Sequence, residues 1–559
     1  VQKITIGSRK SVLARIQAYT VAAHLKAFAD RMGENLEVDF LFKSSFGDQN
    51  LEVSLKELPE KGLFTKDLQE DLANGSCDLV VHSWKDLPLE LPPTHSLVGT
   101  MKREDARDLL LVKKSFLTSL SSSSATKTFV VLSSSPRREY NLSKLLPEIL
   151  PFDLDKLSFK VIRGNIPTRL SKLLADPEAQ ALVLAKAALD RLMTSDDFGD
   201  EEIRSFKASF IEDLEQCEWM ILPLRENPTA PAQGALAIEA IDDGGAKVEF
   251  LKSAFQEFQS VFALVQKERE VLAEYGGGCH QKIGAHVRTI GPEEKAYLLL
   301  KGERDSGQIL DCELPTDLWR KGRALLIDGK NFVETSSSLS RKDIWPPEDL
   351  RPRFFDRQSG QSGPLDLTRF ENVLVTRKDA YRDDLVLKEN VRIWVSGMQT
   401  WRALAQKNVW VSGSLESFGS DILKSGVEAS NVALSTVAFS TVAFSNMARL
   451  THDKAPTQDG ATNVMTYSLK ARFATAAEAA DSLPAADKKL CFWMSASAFL
   501  EVWRLDQELI ASIPRHACGM GLSFDELAPI FEKMNRKLEP YIDLKDCVRQ
   551  NTKWELKTI

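Results

Sequence analysis

Up to about residue 240 the chain alternates short apolar strands with amphipathic helices, and that rhythm commits it to α/β architecture with mainly parallel sheets. Ile4 to Gly7 is a strand candidate, and Ser8 or Ser11 can cap a following helix whose apolar face runs Val12, Ile16, Tyr19, Ala23. Leu36, Val38, Phe40 and Phe42 alternate with Glu37 and Asp39, which gives a strand of period two. Asp78 to His82, Phe129 to Leu132, Phe159 to Ile162 and Ala181 to Ala185 read as further strands, the last three each followed by a helical pattern. Ser115 to Thr128, the acidic stretch Thr194 to Glu218, and Arg353 to Leu367 read as loops or linkers.

The chain has 559 residues, more than one core of about 250–300 residues sustains, so several domains are expected. A net charge of −7 argues against a general nucleic-acid binder. Seven scattered cysteines with no CxxC pair predict a reduced, cytoplasmic chain without a zinc site. No run of about 18 apolar residues suggests a membrane span, and no signal peptide is visible before the first strand.

Basic residues recur where strands end and helices begin. Arg9 and Ser11 follow the first strand; Lys85 and Asp86 follow the strand ending at His82. Ser133, Ser135, Arg137 and Arg138 follow Leu132, Arg163 and Arg169 follow Ile162, and Arg191 follows Ala185. Open α/β sheets bind ligands at the carboxyl ends of their strands. Helix N-termini there favour anions, and Arg forks grip carboxylates. Singly, each of these residues reads as solvated surface; their shared position points to a cleft for a polycarboxylate. Asp86 is a lone acid among bases, suited to passing a proton or steadying a cation, although a helix cap or structural ion pair would also explain it. Cys279, in Tyr275-Gly-Gly-Gly-Cys279-His280, suits a covalent attachment point on a flexible loop, or equally a small buried thiol after a turn.

Taken in order, the segments resemble the porphobilinogen deaminase (hydroxymethylbilane synthase) family. The resemblance rests on Arg9-Lys-Ser11 with Gln17, Glu60-Lys-Gly-Leu-Phe64, Val81-His-Ser-Trp-Lys-Asp86, Arg103 to Asp108, Ser133 to Arg138, Arg163 to Arg169, Ala232-Gln-Gly-Ala235 and Gly277-Gly-Cys279. It implies two lobes like type II periplasmic binding proteins, at 1–101 plus 219–241 and at 102–218. A small α/β third domain would span 242–352 and a linker 353–370. It implies a dipyrromethane cofactor bound covalently at Cys279. Ser11, Lys61, Ser83, Lys85, Ser133, Ser135, Arg137, Arg138 and Arg163 would contact that cofactor. Arg9, Gln17, Arg169 and Arg191 would contact substrate, and Asp86 with Lys85 would be catalytic. Porphobilinogen and the growing oligopyrrole would be the only partners of a monomer, with no metal, nucleic acid or membrane. The chain departs from the family at Leu132-Ser133, Pro167, His280 and Lys282.

Residues 371–559 resemble uroporphyrinogen III synthase, as a shortened, Rossmann-like α/β domain. Val373 to Arg377, Val395 to Thr400, Phe492 to Ser497, Cys518 to Ser523 and Tyr467 carry that likeness. It implies either cyclisation of the first enzyme's product or an inactive appendage packed on the deaminase. A non-catalytic polyanion-binding protein is the competing reading of the whole.

Overall fold

A computed structural model describes residues 2–44, 65–120, 128–277, 281–290, 294–317, 319, 332–333, 339–348, 350, 352–360, 363–416, 446–455, 461–552 and 554–555. It is mixed α/β with several sheets. One five-stranded sheet, with the helix on it labelled lobe one below, has the order Leu36–Lys43, Gln2–Arg9, Leu79–Ser83, Leu236–Ile241, His95–Gly99. Its first three strands are parallel, and Leu236–Ile241 runs against both neighbours. Ile4, Ile6, Leu79, Val81 and Ile238 meet Val21 and Leu25 of the helix Val12–Arg31 in one core. Ser11 caps that helix, accepting from Ala14 N at 3.4 Å.

A second five-stranded sheet, labelled with its helices lobe two below, orders Lys156–Lys160, Thr128–Leu132, Ala181–Ala185, Asp108–Lys113 and Cys217–Ile221. The strand expected at Phe159 to Ile162 instead ends at Lys160. The Ser134 hydroxyl bonds both the N–H and the carbonyl of Ile162, which takes that residue out of the ladder. The acidic stretch read as a loop is largely the helix Glu201–Glu215, burying Ile203, Phe210 and Leu214 at helical spacing. Part of the Ser/Thr-rich stretch is the helix Lys114–Leu120, and 121–127 lie outside the described residues.

Three antiparallel strands, Gly284–Ile290, Lys295–Glu303 and Ile309–Pro315, pack with the helix Gln259–Glu274. The boundaries after this unit differ from the expected ones. Ile344–Trp345, placed at the sequence level in the third domain, pairs with Leu490–Trp493. Phe355–Ser359, placed in a linker, is an edge strand against Ala461–Ala471. The C-terminal cores bury Ile344 and Trp345, and they bury Phe354 just before the edge strand.

The C-terminal region has two principal sheets rather than one. The first runs Phe355–Ser359, Ala461–Ala471, Met447–His452, Asn372–Val375, Arg392–Val395, Gly413–Ser414. The second runs Ile344–Trp345, Leu490–Trp493, Arg515–Gly519, Leu538–Tyr541. The first merges with lobe two: Trp401 is wholly buried and donates to Ile149 O at 3.1 Å. Ile221 N donates to Ser412 O at 2.8 Å, and Trp394 lies 6.2 Å from Trp219. The second reaches the third domain, where Tyr297 donates to Asp546 at 3.1 Å.

Candidate active site

The site forms where Leu79–Ser83 runs into the short helical turn Trp84–Asp86. That turn leaves Asp86 exposed and Lys85 half-buried. Gln17, buried on the first long helix, donates to Ser83 Oγ at 3.2 Å and so ties that helix to the turn. Lys85 Nζ donates to Gln233 Oε1 at 3.5 Å. Burial lowers the Lys85 pKa, and Arg138 and Arg169 lower it further, while Asp86 and Asp108 work the other way. Burial likewise brings Arg169 down to about 10, with Arg138 adding and Asp86 opposing. Asp86 of lobe one therefore lies within the electrostatic reach of Arg169 of lobe two.

Those arginines are preset. Ser135 caps the helix Pro136–Ile149, and Ser133 Oγ accepts from Ser135 N at 3.2 Å. Arg137 and Arg138 leave the first turn and converge on buried Asp108, at 2.9 and 2.7 Å. Arg138 also donates to Val183 O at 3.2 Å. Although burial works against its ionisation, the two arginines hold Asp108 far below the ordinary carboxyl range. Arg137 is further committed to Asn227 Oδ1 and Pro228 O, at 3.2 and 2.9 Å. Arg191 donates to Gly234 O at 2.6 Å. Arg137 and Arg191, expected to contact ligand, are thus buried ties between lobe two and the returning segment. Arg9, Arg163 and Arg169 are half-buried at the strand ends and helix start where the sequence puts them. Asn165 caps the helix Ile166–Ala175, and Arg169 Nε donates to Gly164 O at 2.7 Å. Lys61 and Cys279 lie outside the described residues.

Sequence reasoning gave no role to Asp108, Gln233 or Glu268. Gln233 donates to Asp108 Oδ1 at 2.9 Å and to Ala106 O at 2.6 Å, joining the Lys85 side to the arginine side. Its neighbour Gly234 has φ +88, and a Cβ there would stand 2.5 Å from Glu104 O, so the chain at Gly234 and the chain at Glu104 touch through glycine. Glu268 of the third domain takes both arms of Arg103, at 2.7 and 2.9 Å, and the N–H groups of Ala232 and Val287. Burial opposes its ionisation, but Arg103 and His286 overcome this and hold it at about 2. Arg269 of the same domain donates to Pro88 O at 2.5 Å, steadying the loop after Asp86. Gly277 passes so close to that loop that a Cβ would meet Leu89 Cδ1 at 2.7 Å. The two short stretches Arg103 to Asp108 and Ala232 to Ala235 carried the only sequence signal for this network.

Among the described residues no group of three or more His, Cys, Asp or Glu could hold a metal ion, and no helix is long and apolar enough to cross a membrane.

Residues 4–248 match the family described as "Porphobilinogen deaminase, dipyromethane cofactor binding domain". Curated relatives named porphobilinogen deaminase align over about half of the chain. The one from Thiobacillus denitrificans is 35% identical over 300 residues, covering 54% of this chain and 84% of its own length. The one from Syntrophomonas wolfei is 32% identical over 327 residues, covering 58% and 94%. The one from Nostoc sp. is 35% identical over 291 residues, covering 52% and 79%.

Proposed function

This chain belongs to the porphobilinogen deaminase family, and on that footing we propose that it is a hydroxymethylbilane synthase whose dipyrromethane cofactor is tethered at Cys279 and whose catalytic acid is Asp86. It is a transferase of porphyrin biosynthesis. The observation that carries the residue assignment is the placement of Asp86, exposed at the turn beside Lys85, whose Nζ donates at 3.5 Å to Gln233, the same glutamine that donates to the Asp108 carboxylate under Arg138 at 2.9 Å.

The chemistry follows from that placement. Porphobilinogen brings an acetate and a propionate, and each joined ring adds two carboxylates. Arg9, Lys61, Arg138, Arg163 and Arg169 supply matching cations, with Ser11, Ser83, Ser133 and Ser135 as neutral donors. Asp86 protonates the departing amine, so ammonia leaves. The same carboxylate then faces the methylene cation that remains, and stabilising charge where it develops is the large catalytic term. The free pyrrole carbon of the chain attacks that methylene and loses its proton. The cofactor supplies the first two rings and the attacking carbon. Four such condensations precede hydrolytic release. Buried Asp108 fixes Arg138 and, with Arg137, frames the floor of the cleft. Gly277 lies against Leu89, three residues past Asp86, which supports an attachment point nearby.

Peptide mass mapping tests the tether. A mass increment of two pyrrole units on the peptide holding Cys279 is expected. An unmodified thiol in protein that consumes porphobilinogen contradicts it.

A second reading concerns the C-terminal region: cyclisation of the released product to uroporphyrinogen III. Its support is a basic cluster at the carboxyl ends of Asn372–Val375 and Met447–His452. Desolvation and then Arg357 lower Arg377, with Tyr467 opposing, and the Tyr467 and His452 rings lie 5.7 Å apart. Burial raises Glu526, on the helix Leu522–Lys533 of the second sheet, to about 7, with Arg449 opposing across the gap between sheets. Product analysis decides it: mainly the type III ring isomer from porphobilinogen supports cyclisation, and the spontaneous type I isomer contradicts it. Tyr467→Phe and Arg377→Ala should leave porphobilinogen consumption unchanged while lowering the type III share.

A further inference from the structure

The helix Val12–Arg31 belongs to lobe one, yet one turn of it is held by lobe two. Arg15 Nη1 lies 2.8 Å from Asp200 Oδ2, and its Nη2 lies 2.7 Å from Glu202 Oε2. Tyr19 donates to the same Asp200 oxygen at 3.3 Å, and its ring lies 5.4 Å from Phe198. Beneath them Ile16 is buried in one cluster with Leu189, Leu192 and Phe210 of lobe two.

The pair is shielded and rigid. The side chains of Arg15 and Asp200 are only 12% and 13% exposed. Asp200 cannot swing freely, because it also caps the helix Glu201–Glu215, accepting from Glu202 N at 3.1 Å and Ile203 N at 3.2 Å. The Arg15–Asp200 arm of the fork is therefore stronger than an open surface pair, whereas the Glu202 arm, 70% exposed at the carboxylate, adds little. Its position matters too. Arg15 lies two residues before Gln17 on the same helix, and Gln17 holds Ser83 at the foot of the Lys85–Asp86 turn. Whatever fixes this helix against lobe two fixes how far Asp86 stands from Arg138 and Arg169.

We propose that Arg15 and Asp200 form a clasp that sets the closed spacing of the two lobes, which makes Arg15 a positioning residue for condensation at Asp86. The proposal rests on the deaminase reading. Two-lobed proteins close by hinge motion, and apparent affinity falls by the fraction of molecules in the competent state. The clasp raises that fraction before porphobilinogen binds. Saturating substrate can replace it, so its signature is in KM rather than kcat.

The test compares primer-loaded parent, Arg15→Met, Arg15→Lys, Asp200→Asn and the Arg15→Met/Asp200→Asn double variant. Asn caps helices about as well as Asp, so Asp200→Asn removes charge while keeping the helix start. We expect Arg15→Met and Asp200→Asn each to raise KM for porphobilinogen about fivefold with kcat and primer content held within about twofold. Arg15→Lys should recover KM to within about twofold, and the double variant should be no worse than either single, because the two residues act as one unit. Unchanged KM in both singles, beside normal turnover by the parent, overturns the clasp and leaves the deaminase reading standing. Multiplying effects in the double variant also overturn it. A parent that does not consume porphobilinogen overturns the underlying reading and the clasp with it.

Discussion

The two-lobed cleft and the C-terminal pair of sheets both gather basic side chains at the carboxyl ends of parallel strands, but they support those charges differently. In the cleft, Arg137 and Arg138 rest on a fully buried aspartate that also accepts from Asn227 and Gln233 at 3.0 and 2.9 Å. The Arg138 fork is thereby oriented before any ligand arrives, with Arg137 bracing the same carboxylate. In the C-terminal region, Arg357 pairs with Asp379 at 2.9 Å while pressing on Arg377. Glu526, the acid facing Arg449, is raised to about 7 by its own burial. The lesson is that a strand-end arginine is a binding group only as far as its back side is held. A preorganised donor gives up little on binding, whereas crowded cations wait for an anion to relieve them.

The largest break in that contrast comes from Asp108. Asp108→Ala leaves two buried guanidinium groups without their carboxylate, and breaking such a pair costs about 3–5 kcal/mol. A denaturant titration should show the loss, and a midpoint within error of the parent would mean that the arginines are not fixed by this residue. The interface between the halves separates packing from surface charge. Trp401→Ala removes a wholly buried ring and its bond to Ile149, at a cost of about 3–5 kcal/mol. Arg402→Ala removes an ion pair to Glu148 whose side chains are 39% and 50% exposed, worth about 1 kcal/mol or less. Comparable shifts of the two denaturation midpoints would show that charge, not the tryptophan, joins the halves.

Between those extremes lies an acid dependence. Glu268 is held at about 2 against an ordinary 4.5, so its contribution is complete above about 4.5 and lost as pH falls toward about 2. That difference amounts to about 3 kcal/mol. Thermal midpoints measured from pH 5 down to pH 2 should fall more steeply for the parent than for Glu268→Gln. Parallel curves would remove the carboxylate from the anchorage of the third domain.

Much of the cleft was legible because strand ends, caps and basic residues sit in short contiguous runs. Ser11, Ser135, Lys85 and Asp86 all fall where the local pattern puts them. The ties behind them were not legible, since Asp108 to Arg137, Lys85 to Gln233 and Arg103 to Glu268 join residues 29, 148 and 165 positions apart. Nothing in the sequence around Arg137 or Arg191 separates a guanidinium facing a ligand from one facing a carbonyl. The acidic stretch misled for a local reason: Asp196, Asp197, Asp200, Glu201 and Glu202 outweigh the spacing of Ile203, Phe210 and Leu214 that makes it a helix. Phe355–Ser359 was passed over as a strand because its partner, Ala461–Ala471, lies a hundred residues on.

In the proposed reaction one carboxylate, Asp86, works inside a cleft of preset arginines. Intact mass spectrometry of primer-loaded Asp86→Asn after exposure to porphobilinogen measures this directly. The parent should gain one to four pyrrole units, whereas the variant should keep its primer mass and gain none. Stepwise gain by the variant at the parent's rate would contradict the role given to Asp86.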